Sequence, residues 1–243
     1  MTTMPENPLR VMIAGDLPFL RYAPTCIASI RANTTGPIDV GVVTNGVSEA
    51  VKQKLVDACP GVTLHFREIN TDSLSGVSTT DLLNEMSYAR ILMPKLVDWD
   101  RFVYLDIDVI VQSDLRKLSD LDLHGSPLAA AVQGHLGINT GVLVVDAEMW
   151  RRENLEKALI EYAMAHKLEK ADQDAIIAVI GDRILEFDVS WNTPAELMWT
   201  PEEKLSDATL DQADILHYIT GFKPWSPLVR WLGNQLLLAR WDR

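Results

Sequence analysis

The stretch that most limits how this chain can fold is Arg101-Phe-Val-Tyr-Leu-Asp-Ile-Asp-Val-Ile-Val111. An apolar run leads up to Leu105, delivers two carboxylates, Asp106 and Asp108, and then resumes. In extended backbone, residues i and i+2 point to the same face, so both acids can reach one cation. The apolar flanks call for burial, and a buried carboxylate without a partner is costly. A divalent ion resolves that conflict, and carboxylate oxygens suit hard ions such as Mg²⁺ or Mn²⁺. A strand end that merely carries two acids has the same spacing, so the rest of the chain has to decide.

The 243 residues make one large domain or two small ones, enough for a sizeable core. The formal net charge of -12, with no dense Lys/Arg run, argues against a nucleic-acid partner. Such an acidic surface repels a phosphorylated substrate unless cations or local basic groups offset it. Cys26 and Cys59 have no zinc-type spacing, a pattern of reducing compartments. The polar N-terminus has no secretory character and no apolar run approaches membrane-spanning length, so the expected location is cytoplasmic.

Taken in order, Arg10–Ala14 reads as a first buried strand that ends at Gly15-Asp16. Leu17 to Ser29 reads as loop plus helix, shaped by Pro18 and Pro24. Val40–Thr44 is a second strand, a helix capped by Ser48 runs from Glu49 to about Ala58, and Val62–Phe66 is a third strand. This rhythm predicts an α/β fold, a mixed, mostly parallel sheet flanked by helices. Ligands bind where the strands of such sheets end. Asp16 and Phe19 sit at such an end, either as a carboxylate and an aromatic face for a nucleobase or as a helix N-cap and a core aromatic.

A helix is expected from about Asp81 to Val97, bent near Pro94. Arg90 falls off its apolar stripe, either solvated or turned back towards the carboxylates of the next strand, for which a guanidinium is suited. Further on come a short helix at Leu115–Leu121, a strand at Ser126–Val132, a turn containing His135, and a strand at Val142–Val145 preceded by Asn139-Thr-Gly141. Asn139 reads as a turn residue or as an amide offered to a sugar hydroxyl. Glu148 to Lys167 reads as one amphipathic helix, and Asp172-Gln173-Asp174 opens another. Acids at a helix N-terminus suit capping and the dipole, which accounts for the aspartates but not for Gln173. His217, in Ile215–Tyr218, is a packed core residue or a ligand. Gly221-Phe-Lys223-Pro-Trp225 is irregular, and Pro227 to Trp241 reads as a helix packed on the domain. A peripheral role for that helix at the inner face of a membrane has only Arg230, Arg240 and Arg243 as basic support.

Several of these pieces stand in one order: Ala14-Gly-Asp16, Ser87-Tyr-Ala-Arg90, Tyr104-Leu-Asp-Ile-Asp108, Asn139-Thr-Gly-Val-Leu143, Asp172-Gln-Asp174 and His217-Tyr-x-x-Gly-x-Lys223-Pro-Trp225. Together they resemble the retaining glycosyltransferases of family 8, the group that contains glycogenin and the bacterial lipooligosaccharide α-galactosyltransferases. The resemblance implies a GT-A fold over 1–243, with a nucleotide-binding half (1–112), a sugar and acceptor half (113–225) and a C-terminal helix (226–243). It implies a UDP-sugar donor, UDP-glucose or UDP-galactose, and a Mn²⁺ or Mg²⁺ ion. Asp106, Asp108 and His217 would hold the metal. Asp16, Phe19, Gly221 and Lys223 would bind the nucleotide with the Asp106-Ile107-Asp108 segment. Arg90, Asn139, Asp172 and Gln173 would surround the donor sugar.

The chain departs from the family pattern at Leu17-Pro18, where a polar residue commonly follows the first aspartate, and in the shortness of the segment between Val132 and Asn139. The acceptor is a glycan, a lipid-linked saccharide or a protein. Because an amide is a poor nucleophile, Gln173 at the sugar's far face favours front-face attack over a double displacement. Two other functions share the Asp-x-Asp signal. One is a haloacid-dehalogenase-like phosphatase, whose motif normally continues to Thr or Val where Ile110 stands here. The other is a nucleotide-sugar-binding protein without turnover.

Overall fold

The structure is a computed structural model. It describes residues 7–79, 84–133, 137–195, 210–219, 221, 223–227, 230 and 235–242. The chain opens with the parallel strands β1 (Leu9–Ala14), β2 (Ile38–Thr44) and β3 (Thr63–Glu68). β1 and β2 are covered on both faces, which is why they read as continuous apolar runs rather than alternating ones. The segment expected as loop plus one helix forms two, α1 (Leu17–Leu20) and α2 (Ala23–Asn33). Pro18 and Pro24 each sit in a first turn, where a missing N–H costs nothing. Helix α3 (Glu49–Ala58) crosses between β2 and β3.

Strand β4 (Arg101–Leu105) joins β1 in parallel. Strand β7 (Ile138–Asp146) runs antiparallel between β4 and β6 (Leu128–Val132), and β8 (Ile184–Phe187) extends the sheet beyond β6. Among the described residues the order is β3-β2-β1-β4-β7-β6-β8, with only the two pairings of β7 antiparallel, so the sheet is mixed and mostly parallel. Successive residues of β4 feed opposite cores: Phe102 and Tyr104 pack with Met12, Ile91 and Trp150, while Val103 and Leu105 pack with Ile13, Ile27 and Val144.

Arg101–Val111 is not one continuous strand. The chain turns at Ile107-Asp108, and β5 (Val109–Val111) leaves for a second sheet. There it pairs antiparallel with β10 (Ile215–His217), which pairs in parallel with β9 (Thr193–Pro194). The turn follows from two competing partners: Asp106 N–H donates to Gly141 O at 2.8 Å in the main sheet, while Tyr218 N–H donates to Asp108 O at 3.0 Å beside the second. The two acids therefore converge through a turn and not through the pleat of a strand.

Helix α4 (Ala89–Leu96) follows a 3-10 turn at Glu85–Tyr88, and residues 80–83 of the helix expected there lie outside the described residues. A short α5 (Arg116–Ser119) precedes β6. The helix expected over 148–167 is broken into α6 (Ala147–Arg152) and α7 (Leu155–Ala165). Asn154 stands between them in the left-handed region at φ 60°, a conformation that asparagine tolerates and that ends α6. Helix α8 (Asp172–Ile180) follows Ala171, itself at φ 48°. At the C-terminus, α9 (Gln235–Trp241) buries Leu238 and Trp241, and the Trp241 ring meets Tyr218 edge-on at 5.5 Å. Residues 228, 229 and 231–234 of the expected terminal helix, and the turn at His135, lie outside the described residues. No helix among the described residues is long and apolar enough to cross a membrane.

Candidate active site at the ends of the central strands

β1 and β4 end side by side, and the chain leaves each at an acid, Asp16 and Asp106. Strand β7 brings the third contribution. Its register against β6 jumps between Ala130, opposite Leu143, and Ala131, opposite Asn139, so residues 140–142 loop past β6. Irregularities of this kind re-aim side chains next to sites, and here Asn139, Thr140 and Gly141 are carried over the end of β4. The second sheet presents His217 from β10 directly across from Val109.

Asp106, Asp108 and His217 each offer one atom to a group in which all three lie within 4.8 Å of one another. His217 Nε2 stands 3.6 Å from Asp106 Oδ2 and 3.4 Å from Asp108 Oδ1. Such spacings suit donors sharing one small cation, with bonds of about 2.1 Å for Mg²⁺. The other polar atom of each side chain is already engaged. Asp106 Oδ1 accepts from Arg90 Nη2 at 3.1 Å and from the Tyr104 hydroxyl. Asp108 Oδ2 accepts from Lys223 Nζ, which also donates to Tyr218 O at 2.8 Å. His217 Nδ1 faces Asn192 Oδ1 at 2.8 Å. A Cβ at Gly141 would overlap the His217 ring and fall 2.7 Å from Asp106 Oδ2, so this strand position has room only for glycine. The donor set, its convergence and its packing fit a hard divalent ion.

Arg90 ties this group to a third acid. Its Nε lies 3.1 Å from Asp172 Oδ2, its Nη1 donates to Thr140 Oγ1 at 3.0 Å and to Thr140 O, and its guanidinium sits 4.6 Å over the Tyr104 ring. Thr140 Oγ1 donates to Asp172 Oδ2 at 3.1 Å, and Thr140 N–H makes a long contact of 3.4 Å to Gln173 Oε1. Burial opposes charge at each of these groups, and the outcome depends on the partners. On Asp108 burial raises the pKa but is outweighed, chiefly by the Lys223 ammonium, and the carboxyl is held well below the usual range. Burial also works against the charged Arg90, and Asp106 and Asp172 more than restore it. On Asp172 burial wins over Arg90, and its pKa is pushed up to about 6.

Two cavities meet at these side chains. One of about 310 Å³ is lined by Asn139, Thr140, Gly141, Asp172, Gln173, Lys170 and Ile219. The other, about 170 Å³, is lined by Gly15, Asp16, Phe19, Asn84, Ser87 and Ile107. Arg90, Asp106, Asp108 and Lys223 line both. In the smaller one, Asp16 Oδ2 accepts from Asn84 Nδ2 at 3.2 Å, while Asp16 Oδ1 is buried without a partner among the described residues. Phe19 borders the same cavity, 42% exposed. Gly221 is exposed and lines neither cavity. Asp174 faces away from both cavities' chemistry: its Oδ2 accepts from the Glu169 and Lys170 N–H groups at 2.9 and 2.8 Å and fastens the turn before α8.

Reading the sequence alone missed Tyr104, Thr140, Gly141, Asn84 and Asn192. Tyr104 carried a usable signal, since it stands on β4 two residues before Asp106. Asn192 had none, because its partners are 25 and 53 residues away.

Among solved structures, the chain is similar to the galactosyltransferase LgtC in complex with donor and acceptor sugar analogs, at a TM-score of 0.79 and 21% identity over 96% of this chain and 95% of that one. This likeness establishes the GT-A fold. Among curated relatives, it is 27% identical to general stress protein A of Bacillus subtilis, covering 90% of this chain and 87% of the relative. It is 26% identical to the lipopolysaccharide 1,2-glucosyltransferase of Escherichia coli K12, covering 89% and 72%. The glycosyltransferase GlyE of Streptococcus pneumoniae is 30% identical over 59% of this chain, which spans only 38% of that longer protein. The ordered motifs, the fold and a family model matched from residue 10 to residue 228 agree, and the chain belongs to glycosyl transferase family 8.

Proposed function

We propose that this chain transfers a hexose, glucose or galactose, from a UDP-sugar to an acceptor hydroxyl with retention at the anomeric carbon. The observation that carries the reading is the convergence of Asp106, Asp108 and His217 at the junction of two cavities, one edged by an unpaired buried carboxylate oxygen and the other by amides and acids. In this reading 1–112 supplies the nucleotide side and 113–225 the sugar and acceptor side. Asp16 Oδ1 accepts a uracil N–H, Phe19 stacks on the ring, and Ile107 walls the nucleotide. Lys223 and the Gly221 backbone hold the diphosphate.

Asp106, Asp108 and His217 would hold a Mn²⁺ or Mg²⁺ ion, which would supply Lewis-acid neutralisation of the charge that grows on the departing diphosphate. Lys223 adds a preorganised cation beside the same oxygens. It answers the repulsion that a chain of net charge -12 otherwise exerts on UDP. Arg90 keeps Asp106 and Asp172 in place, and Asp172 and Asn139 bind sugar hydroxyls. The Gln173 carbonyl oxygen faces the positive charge of an oxocarbenium-like state. The acceptor hydroxyl attacks from the side the diphosphate leaves, and its proton passes to the departing phosphate oxygen. A covalent route through Asp172 is disfavoured because Oδ2 is taken by Arg90 and Thr140. Trapping a glycosylated Asp172 would reverse that preference. The lipopolysaccharide glucosyltransferase among the relatives supports a glycan or lipid-linked saccharide as acceptor, reached from the cytoplasmic face of a membrane.

Calorimetric titration of UDP with Mn²⁺ and again with EDTA, on wild type and Asp106→Ala, tests the centre. Binding is expected only for wild type with Mn²⁺. Equal binding in EDTA removes the metal from the reading, and no binding in either condition removes the donor.

A further inference from the structure

Gly141 N–H, Asn139, Asn192 and His217 form a buried hydrogen-bond chain whose direction is fixed at one end. A backbone N–H can only donate, so the Asn139 atom 2.9 Å from Gly141 N is its oxygen, Oδ1. The Asn192 atom 2.9 Å from that same oxygen must then be the amide nitrogen, Nδ2. This turns Asn192 Oδ1 towards His217 Nδ1 at 2.8 Å, and an acceptor there requires a proton on Nδ1. Asn192 cannot flip to suit the other tautomer without setting its oxygen against Asn139 Oδ1. Its backbone is held as well, since Gln133 Nε2 donates to Asn192 O at 2.8 Å. Asn192 is fully buried, so no water competes for its own amide atoms.

We infer that Asn192 is a positioning residue that fixes His217 in the Nδ1–H tautomer, leaving the bare Nε2 lone pair aimed at the gap between Asp106 and Asp108. A neutral imidazole with a free nitrogen is the ligand form of histidine, and the group bound to its other nitrogen decides which one is free. Without Asn192 the balance reverses, because Asp108 Oδ1, 3.4 Å from Nε2, would draw the proton to that nitrogen. The same chain uses Asn139 Oδ1 twice, so Asn139 presents its amide N–H groups to the larger cavity and calls for an acceptor oxygen on the ligand there. The purpose assigned to the tautomer rests on the metal-centre reading above, but the tautomer itself does not.

The test is nitrogen-15 NMR of histidine-labelled, metal-free protein, well above the ordinary histidine pKa. The His217 signal, one of five histidines, is identified by its loss in His217→Gln. Wild type is expected to carry the proton on Nδ1 and Asn192→Ala on Nε2. Mn²⁺ affinity, followed by electron paramagnetic resonance, is expected to fall about 10–100-fold in Asn192→Ala. A wild-type proton on Nε2 overturns the inference, and so does an Asn192→Ala protein that keeps both the tautomer and the Mn²⁺ affinity. Should that variant not fold by circular dichroism, the wild-type spectrum decides alone. An Nδ1–H ring in a wild type that binds no Mn²⁺ overturns the metal reading while the tautomer assignment stands.

Discussion

The two cavities differ in how far their polar groups are committed before any ligand arrives. At the proposed sugar side and the junction it shares with the other cavity, Arg90 spans Asp106 and Asp172, Lys223 covers Asp108, and Asn192 engages His217. At the proposed base side, Asp16 Oδ1 is buried without a partner among the described residues, and Phe19 meets Trp225 edge-to-face, with ring centroids 6.1 Å apart. The first arrangement is costly to disturb and ready for charge to develop, as a preorganised site requires. The second is completed by its ligand. An unpaired buried acceptor costs the free protein stability that a ring N–H returns on binding. Substitutions on the sugar side should therefore be read mainly as loss of fold, and those on the base side mainly as loss of affinity.

The largest expected effect comes from removing Arg90. Arg90→Ala leaves the buried Asp172 and the half-buried Asp106 without their shared cation, and breaking a buried pair such as Arg90–Asp172 costs about 3–5 kcal/mol. Urea unfolding at neutral pH measures it. The deficit should shrink in acid, where the stranded carboxylates take up protons. A deficit unchanged by pH would mean that Arg90 matters for packing rather than charge.

Next is the pH dependence that Asp172 imposes. Burial raises its folded pKa to about 6, above the usual aspartate value of about 3.9, so the folded state holds this proton more tightly. Stability from this group is full below about pH 3.9 and is lost as pH rises through about 6. The total is up to about 3 kcal/mol, and the group is fully buried, so solvent screening takes little from it. Unfolding of wild type and Asp172→Asn across that window, in EDTA so that no cation enters the balance, isolates the term. The advantage of wild type over the variant should decline with rising pH, and a rising advantage would contradict the assignment.

Gly141→Ala is expected to act through volume. The added methyl meets the His217 ring and Asp106 Oδ2, and overpacking of this kind costs about 1–3 kcal/mol. Because both neighbours belong to the candidate ligand group, Mn²⁺ affinity should fall along with the unfolding midpoint. A drop in stability with Mn²⁺ affinity intact would separate the strand's packing from the centre it carries.

Gly141 also marks where the sequence stopped being informative. Continuous apolar runs disclosed β1, β2 and β4, because strands covered on both faces have no polar alternative, and the Asp-x-Asp interruption pointed to the candidate site. The turn at Asp106–Asp108 was misread as strand because the apolar pattern resumes at Val109, and only the competing pairings with β7 and β10 break it. Asn154 hid inside an otherwise amphipathic pattern, since a single left-handed residue leaves no mark on hydrophobic spacing. Gly141 and Asn139 looked like a turn because Asn-x-Gly favours turns, whereas the structure uses them inside β7 for close approach and for a hydrogen bond. Asn192 could not be found at all. Its importance lies in which atoms of distant residues it faces, and composition and periodicity do not encode that.

The smallest expected effect tests the base side. In Asp16→Asn, Asn84 Nδ2 still needs an acceptor, so the new oxygen takes that contact and the new amide nitrogen faces the cavity where Oδ1 stood. A uracil ring N–H then meets a donor in place of an acceptor. UDP affinity should fall about 10-fold, equivalent to about 1.4 kcal/mol. Cytosine offers an acceptor at that ring nitrogen, so the ratio of UDP to CDP affinity should fall further than UDP affinity itself. The unfolding midpoint should scarcely move, because Asp16 Oδ1 has no partner among the described residues to lose. A variant that unfolds early yet keeps its preference for UDP would erase the contrast between the two cavities and make Asp16 one more structural acid at a strand end.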